Sequence, residues 1–364
     1  MHLMQFSGSR MAIGFALLAA LLYGISSPVS KILLETTSPE LMAALLYLGA
    51  GFGMFAVSLL TKVKNGKTTE APLTKKDFPF VLGMILLDIA APIFLMIGLS
   101  MTTAANASLL NNFEIVTTAL VAFFIFHEKI DRKLRVAIVL IVAASILLTF
   151  DDMSSFSFST GSVFVLLACL CWGFENNCTR MLSVKNPMEI VVVKGFGAGF
   201  GALVIAFFVQ GLETNLQSVI AALVLGFFAY GLSIYFYVLA QRYLGAAKTS
   251  AFYAFAPFIG AGISFAVFRT ELTHLYAVAA LVMVIGAYFA ARGGHRHFHY
   301  HAAVTHDHLH SHDDGHHTHV HNPPVTGEHS HVHTHEPVKH SHPHEAGVHH
   351  ESGDGEERKE GEGR

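Results

Sequence analysis

The sequence predicts an all-α integral membrane protein: ten transmembrane helices as two inverted five-helix repeats, followed by a disordered, histidine-rich tail. Three observations predict it. The 364 residues are 52% hydrophobic and 13% charged, against about 25% charged in an average soluble domain. Apolar runs of the ~20 residues needed to cross a bilayer recur between residues 11 and 292. The composition then changes abruptly after Gly294. The last 70 residues hold 21 of the 24 histidines, 12 acidic residues and five basic ones, so the formal charge of −3 divides into +4 for the body and −7 for the tail. So apolar a body excludes an ordinary soluble enzyme, and so polar a tail cannot bury a core. Cys169, Cys171 and Cys178, all within one apolar run, exclude a secreted disulfide framework.

The spans fall near 11–30, 40–60, 78–99, 103–126, 134–150, 161–182, 189–210, 216–240, 245–268 and 273–292. The first follows a single Arg10 and lacks a small-residue cleavage site, so it reads as a retained helix. The fifth is short, and its Arg135 is expected to snorkel toward the headgroups. With the N-terminus inside, 16 Lys and Arg residues fall in inner loops and only two, Lys31 and Arg269, in outer ones. The positive-inside bias therefore predicts a multi-pass cytoplasmic-membrane protein with both termini cytoplasmic.

An internal repeat sharpens the topology. Residues 17–33 (LLAALLYGISSPVSKIL) align with 166–182 (LLACLCWGFENNCTRML), and Thr102–Glu128 align with Gly245–Glu271. Each copy holds five spans, an odd number, so the second copy must be inverted. The charges agree: Lys31 lies outside and its counterpart Arg180 inside. Inverted repeats are the construction of many secondary transporters, with the site near the midplane between halves.

The two repeats, the acidic ends FHEKI (126–130) and RTELT (269–273), and the run CWGFENNCTR followed by NPMEIVVVKGFGAGF resemble the drug/metabolite transporter superfamily, specifically its EamA-type members. The resemblance covers about residues 1–294, with modules at 11–150 and 161–292 and the tail at 295–364. It implies ten helices around a central cavity and no ATPase. One departure is that such a module usually carries a proline in its fourth helix, as Pro257 does here, whereas the first module has Glu114 in that place.

Charges deep in a membrane are costly and mark pathways or relays. Asp88 and Glu114 lie near the centres of their spans, with Glu175 and Lys194 nearer the inner side. Asn111, Glu114 and Thr118 follow at i−3, i and i+4, which puts an amide, a carboxyl and a hydroxyl on one helix face. Glu114, Asp88, Asn111, Asn112, Glu175, Asn176, Tyr230 and Tyr253 are the expected substrate or coupling-ion residues, and Lys194 is expected to snorkel. Cys171, Glu175 and Cys178 share one stripe that could hold a soft divalent metal. GAAKTS (245–250) is no phosphate loop, because Ala247 stands where glycine must precede lysine. No catalytic constellation appears, so an enzyme is not expected. Coupling is expected to be to a proton or ion gradient, or to be absent.

The tail repeats histidine at alternate positions: His295, His297, His299 and His301; His306, His308, His310 and His312; His316, His317, His319 and His321; His329, His331, His333 and His335; His340, His342 and His344. Imidazole suits zinc, nickel, cobalt and copper. No cofactor is required, but the tail is expected to bind such ions. The expected partners are the lipid bilayer and a small solute, not nucleic acid. Three functions follow. The first is a secondary transporter of a small metabolite such as an amino acid or related compound, with export as one direction and the direction itself left open. The alternatives are a divalent-metal transporter fed by the tail, and a metal- or pH-sensing membrane protein.

Overall fold

The computed structural model describes residues 2–65, 72–126, 130–152, 157–182, 185–244, 252–269, 273–292, 295–301, 304–310, 329–335 and 338–344. Two units divide the chain, residues 1–293 and 294–364. The first is helical: α1 (His2–Gly24), α2 (Ser26–Leu33), α3 (Pro39–Asn65), α4 (Phe78–Met101), α5 (Ala104–Leu110), α6 (Phe113–Phe126), α7 (Arg132–Thr149), α8 (Thr160–Met181), α9 (Pro187–Val209), α10 (Leu216–Gly226), a π-helical segment (Phe227–Leu232), α11 (Ser233–Leu244), α12 (Ala256–Phe268) and α13 (His274–Arg292). A short hairpin, β1 (Phe150–Asp152) with β2 (Ser157–Phe158), joins α7 to α8.

Among the described residues, seven helical stretches are long and apolar enough to cross a membrane: Met11–Leu33, Pro39–Val63, Lys75–Met101, Ala104–Ile125, Thr160–Thr179, Pro187–Val209 and Leu216–Tyr237. Ala256–Phe268 and His274–Ala290 are shorter apolar helices. The helix α7 opens on Arg132, Lys133 and Arg135, the basic first turn expected at a headgroup boundary. Large apolar side chains cover the outside, with Phe208 79% and Val63 87% exposed. Water would not tolerate such a surface, whereas acyl chains would.

The packing is symmetric in sequence order. The helix α4 packs on α8 and α1 on α11, while α3 meets α9, α5 meets α12 and α7 meets α13. Exchanging the first half of the body for the second turns the α4–α8 pair into the α11–α1 pair and maps every other pair onto itself. Small residues bring these helices close. A Cβ on Gly98 would stand 2.7 Å from the carbonyl oxygen of Gly161, and one on Gly161 would stand 2.8 Å from that of Gly98. The α4–α8 crossing thus brings backbone against backbone.

Opposite ends of the bundle are strapped by different groups. At one end Lys185 pairs with Asp77 at 3.0 Å. At the other, the hydroxyls of Thr36 and Ser218 share a hydrogen bond of 2.7 Å, and those of Thr37 and Thr214 one of 2.9 Å. Lys31 behaves as a C-cap: its Nζ donates to the carbonyls of Leu99, Ser100 and Thr102 at the end of α4, where the helix dipole favours a cation.

In the second unit, the four described stretches of the tail, expected to be disordered, are strands. The strands β3 (His295–His301) and β6 (Val338–His344) pair antiparallel, as do β4 (Val304–His310) and β5 (His329–His335). Alternation of histidine with valine, threonine, tyrosine and phenylalanine is a period-two pattern rich in strand formers. The register sets His295 opposite His344, His297 opposite His342 and His299 opposite His340. It likewise sets His306 opposite His333, His308 opposite His331 and His310 opposite His329. His312, His316, His317, His319 and His321 lie outside the described residues, as do Glu128, Glu271 and the 245–250 segment.

Candidate functional site

Three of the apolar stretches, expected as continuous helices, are interrupted. The first breaks at Ile25 between α1 and α2. Pro28 has no N–H to offer the Gly24 carbonyl one turn back. The fourth breaks at Asn111–Asn112 between α5 and α6. Asparagine competes locally for backbone groups, and here the Cys169 thiol reaches the carbonyl of Leu110 at 3.5 Å and that of Asn111, which also accepts from the Glu114 N–H, at 3.8 Å. The seventh widens into the π segment that carries Tyr230. In α4, Pro92 likewise leaves the Asp88 carbonyl without its helical donor. These irregularities gather around one group of polar side chains, the arrangement by which broken membrane helices expose polar groups to a bound solute.

The centre of that group is an ion triad. Lys194 of α9 lies 3.2 Å from Asp88 Oδ2 on α4 and 2.8 Å from Glu175 Oε1 on α8. Asp88 is fully buried and Glu175 only 1% exposed. Tyr47 of α3 donates its hydroxyl to Asp88 Oδ1 at 2.9 Å, and the Thr179 hydroxyl donates to Glu175. Four helices therefore meet through one ammonium, two carboxylates and two hydroxyls. A charge so deep persists only when it is paired and hydrogen-bonded.

Glu114 forms a second centre beside the first. It occupies the first turn of α6, where the helix N-terminus favours an acidic group. Asn176 Nδ2 donates to Glu114 Oε1 at 2.6 Å and to Thr118 Oγ1 at 3.1 Å, so the carboxyl and hydroxyl expected on one face do share it. The phenol groups of Tyr23, Tyr230 and Tyr253 lie within electrostatic reach of this carboxyl. Their rings touch in series: Tyr23 is 5.9 Å from Tyr230 and 5.7 Å from Tyr253, and Tyr47 is 5.3 Å from Tyr230. Ser26 donates to the Tyr230 hydroxyl at 3.4 Å, and the hydroxyls of Ser233 and Tyr253 share a contact of 3.5 Å.

The structure thus brings together Asp88, Glu114, Glu175, Asn176, Tyr230 and Tyr253. Asn111 and Asn112 form the break that precedes Glu114, and both are buried. Lys194, expected to snorkel outward, instead turns inward to two carboxylates. Tyr23, Ser26, Tyr47 and Thr179 were not among the expected residues; their only signal in sequence is a polar side chain within an apolar run. The stripe of Cys171, Glu175 and Cys178 does not form a metal site. Glu175 is taken by Lys194 and Thr179, while Cys171 and Cys178 pack against separate apolar clusters. Among the described residues no three His, Cys, Asp or Glu side chains gather as a metal site.

Comparison with known proteins agrees with this architecture. The model of the EamA-like transporter family matches residues 10–150 and again 159–292. A relative from Methanothermobacter thermautotrophicus, described as an uncharacterized transporter, is 28% identical over 286 residues, which is 74% of this chain and 83% of its own length. One solved crystal structure superposes with a TM-score of 0.56 at 17% identity, over 77% of this chain and 96% of the other, a likeness of fold alone.

Proposed function

Because this chain belongs to the EamA-like transporter family, we propose that it is a secondary transporter. In this reading it moves a small metabolite across the cytoplasmic membrane through the polar group between its two modules. The seven long apolar stretches, the two shorter ones and α7 make up ten spans, with the second module inverted and both termini cytoplasmic. The observation that carries the reading is the composition of that polar group. Three carboxylates and one lysine are held where the helices are broken, which leaves two more acids than bases in an apolar interior. Such an excess cannot persist ionised when closed off from water, so the group takes up protons or a cation as it is occluded. Asp88 and Glu114 are the groups that do so, which couples solute movement to a proton gradient.

In liposomes containing the full chain and driven by a pH gradient, Glu114→Gln is expected to lower saturable solute flux at least tenfold at equal protein level, a loss of about 1.4 kcal/mol. Full flux with the amide in place would remove Glu114 from the pathway.

The alternating histidines of the tail, six pairs of which stand in register along its antiparallel strands, favour an accessory role, in which it holds zinc, nickel, cobalt or copper on the cytoplasmic side. Imidazole is a ligand that suits each of these ions. Truncation after Gly294 is then expected to abolish retention on an immobilised nickel column and to leave flux within twofold. A collapse of flux on truncation would make the tail part of the transport machinery.

A further inference from the structure

Of the three carboxylates, Glu114 alone has no ammonium beside it: Lys194 serves Asp88 and Glu175, and among the described residues no ion pair reaches Glu114. Its Oε1 accepts from Asn176, and no described hydrogen bond reaches Oε2. It is also differently exposed. Asp88, Glu175 and Tyr230 are buried, whereas Glu114, Asn176, Tyr23 and Tyr253 keep part of their surface open. The two tyrosines of this set belong to one aromatic series. Tyr23 and Tyr253 meet at 5.7 Å, and Tyr237 extends the ring series with an edge contact to Tyr253 at 4.9 Å.

A carboxylate with no described ion pair and with electron-rich rings within electrostatic reach is a combination that receives an ammonium ion. The carboxylate supplies the charge, and the ring faces replace the water the cation gives up. The charge balance points the same way, because an anionic solute would add to an existing acidic excess. We propose that the surface formed by Glu114, Asn176, Tyr23 and Tyr253 binds organic ammonium compounds, and that the transported solute is an amine whose positive charge rests on Glu114. This rests on the transporter reading above and names the substrate class for the same site.

Three probes with one carbon skeleton and different charge test it: phenethylamine, phenylalanine and phenylpropionate. Binding is measured by calorimetry on the full chain in detergent, and flux separately in liposomes. The amine is expected to bind at least tenfold more tightly than the zwitterion, and the anion not at all. Glu114→Gln is expected to weaken amine binding at least tenfold, with Glu114→Asp retaining part of it. Tyr253→Phe is expected to keep binding and Tyr253→Ala to lose it severalfold. Glu40→Gln, a buried carboxyl at the far end of α3, is expected to leave binding unchanged.

Equal or tighter binding of phenylalanine or phenylpropionate overturns the inference, as does amine binding that survives Glu114→Gln. The two readings also fail separately. Amine binding without flux of any probe defeats the transporter reading and leaves the site, whereas flux of the anion without amine binding does the reverse.

Discussion

Replacing Lys194 with methionine is expected to destabilise the folded protein by about 3–5 kcal/mol, the cost of stranding buried charge. The substitution keeps most of the volume and removes the ammonium, so Asp88 and Glu175 are left facing one another across α4 and α8 with only the Tyr47 and Thr179 hydroxyls for compensation. The loss belongs to the triad and not to the lysine alone, and a thermodynamic cycle can show this. Adding Asp88→Asn and Glu175→Gln in the Lys194→Met background is expected to restore most of the stability, because three neutral groups of similar size then occupy the space. Equilibrium unfolding of the full chain in mixed micelles measures both steps. A single substitution that costs less than about 1 kcal/mol, the range of an exposed ion pair, would place Lys194 in contact with water.

A second large effect is expected where α4 and α8 cross. Gly161→Val places a Cβ 2.8 Å from the Gly98 carbonyl oxygen and 2.9 Å from the backbone at Met101 and Thr102. Backbone atoms cannot rotate away as a side-chain tip can, so the helices must part. The expected cost is about 1–3 kcal/mol, the range for overpacking a close-packed interior. The same two helices carry Asp88 and Glu175, so parting them also lengthens the Lys194 contacts and lowers flux. Gly98→Val should behave alike, and the double variant should cost clearly less than the sum of the two, because helices already separated have little more to lose. Additive costs would mean that the two glycines meet independent neighbours.

What was legible in the sequence follows from distances along one helix. The apolar runs, the two modules and the common face of Asn111, Glu114 and Thr118 all depend on such spacing, and the shared contact of Asn176 with Glu114 and Thr118 agrees with that face. Contacts between helices depend instead on how each is rotated against its neighbour, which spacing does not encode. Lys194 shows the difference. On α9 alone a lysine near one end of a span reads as a snorkelling group; only the rotation of α9 toward α4 and α8 turns it inward. The stripe of Cys171, Glu175 and Cys178 failed for the same reason, since a common face does not decide what that face meets. The helix breaks were hidden differently. Pro28 and the Asn111–Asn112 pair are visible, but in a membrane such residues are tolerated wherever neighbours satisfy the freed backbone groups. The Cys169 thiol, which supplies part of that satisfaction, lies far away in sequence.

The unlike straps at the two ends of the bundle give the protein an asymmetric response to its medium. The contact of Lys185 with Asp77 is a partly exposed ion pair, and dissolved ions weaken it as the screening length shortens from about 10 Å at 0.1 M to about 3 Å at 1 M. The hydroxyl contacts of Thr36 and Thr37 with Ser218 and Thr214 carry no net charge and are indifferent to that change. Raising the ionic strength therefore loosens one end and spares the other. The electrolyte on the side of Lys185 thereby acts on how readily that end of the bundle opens.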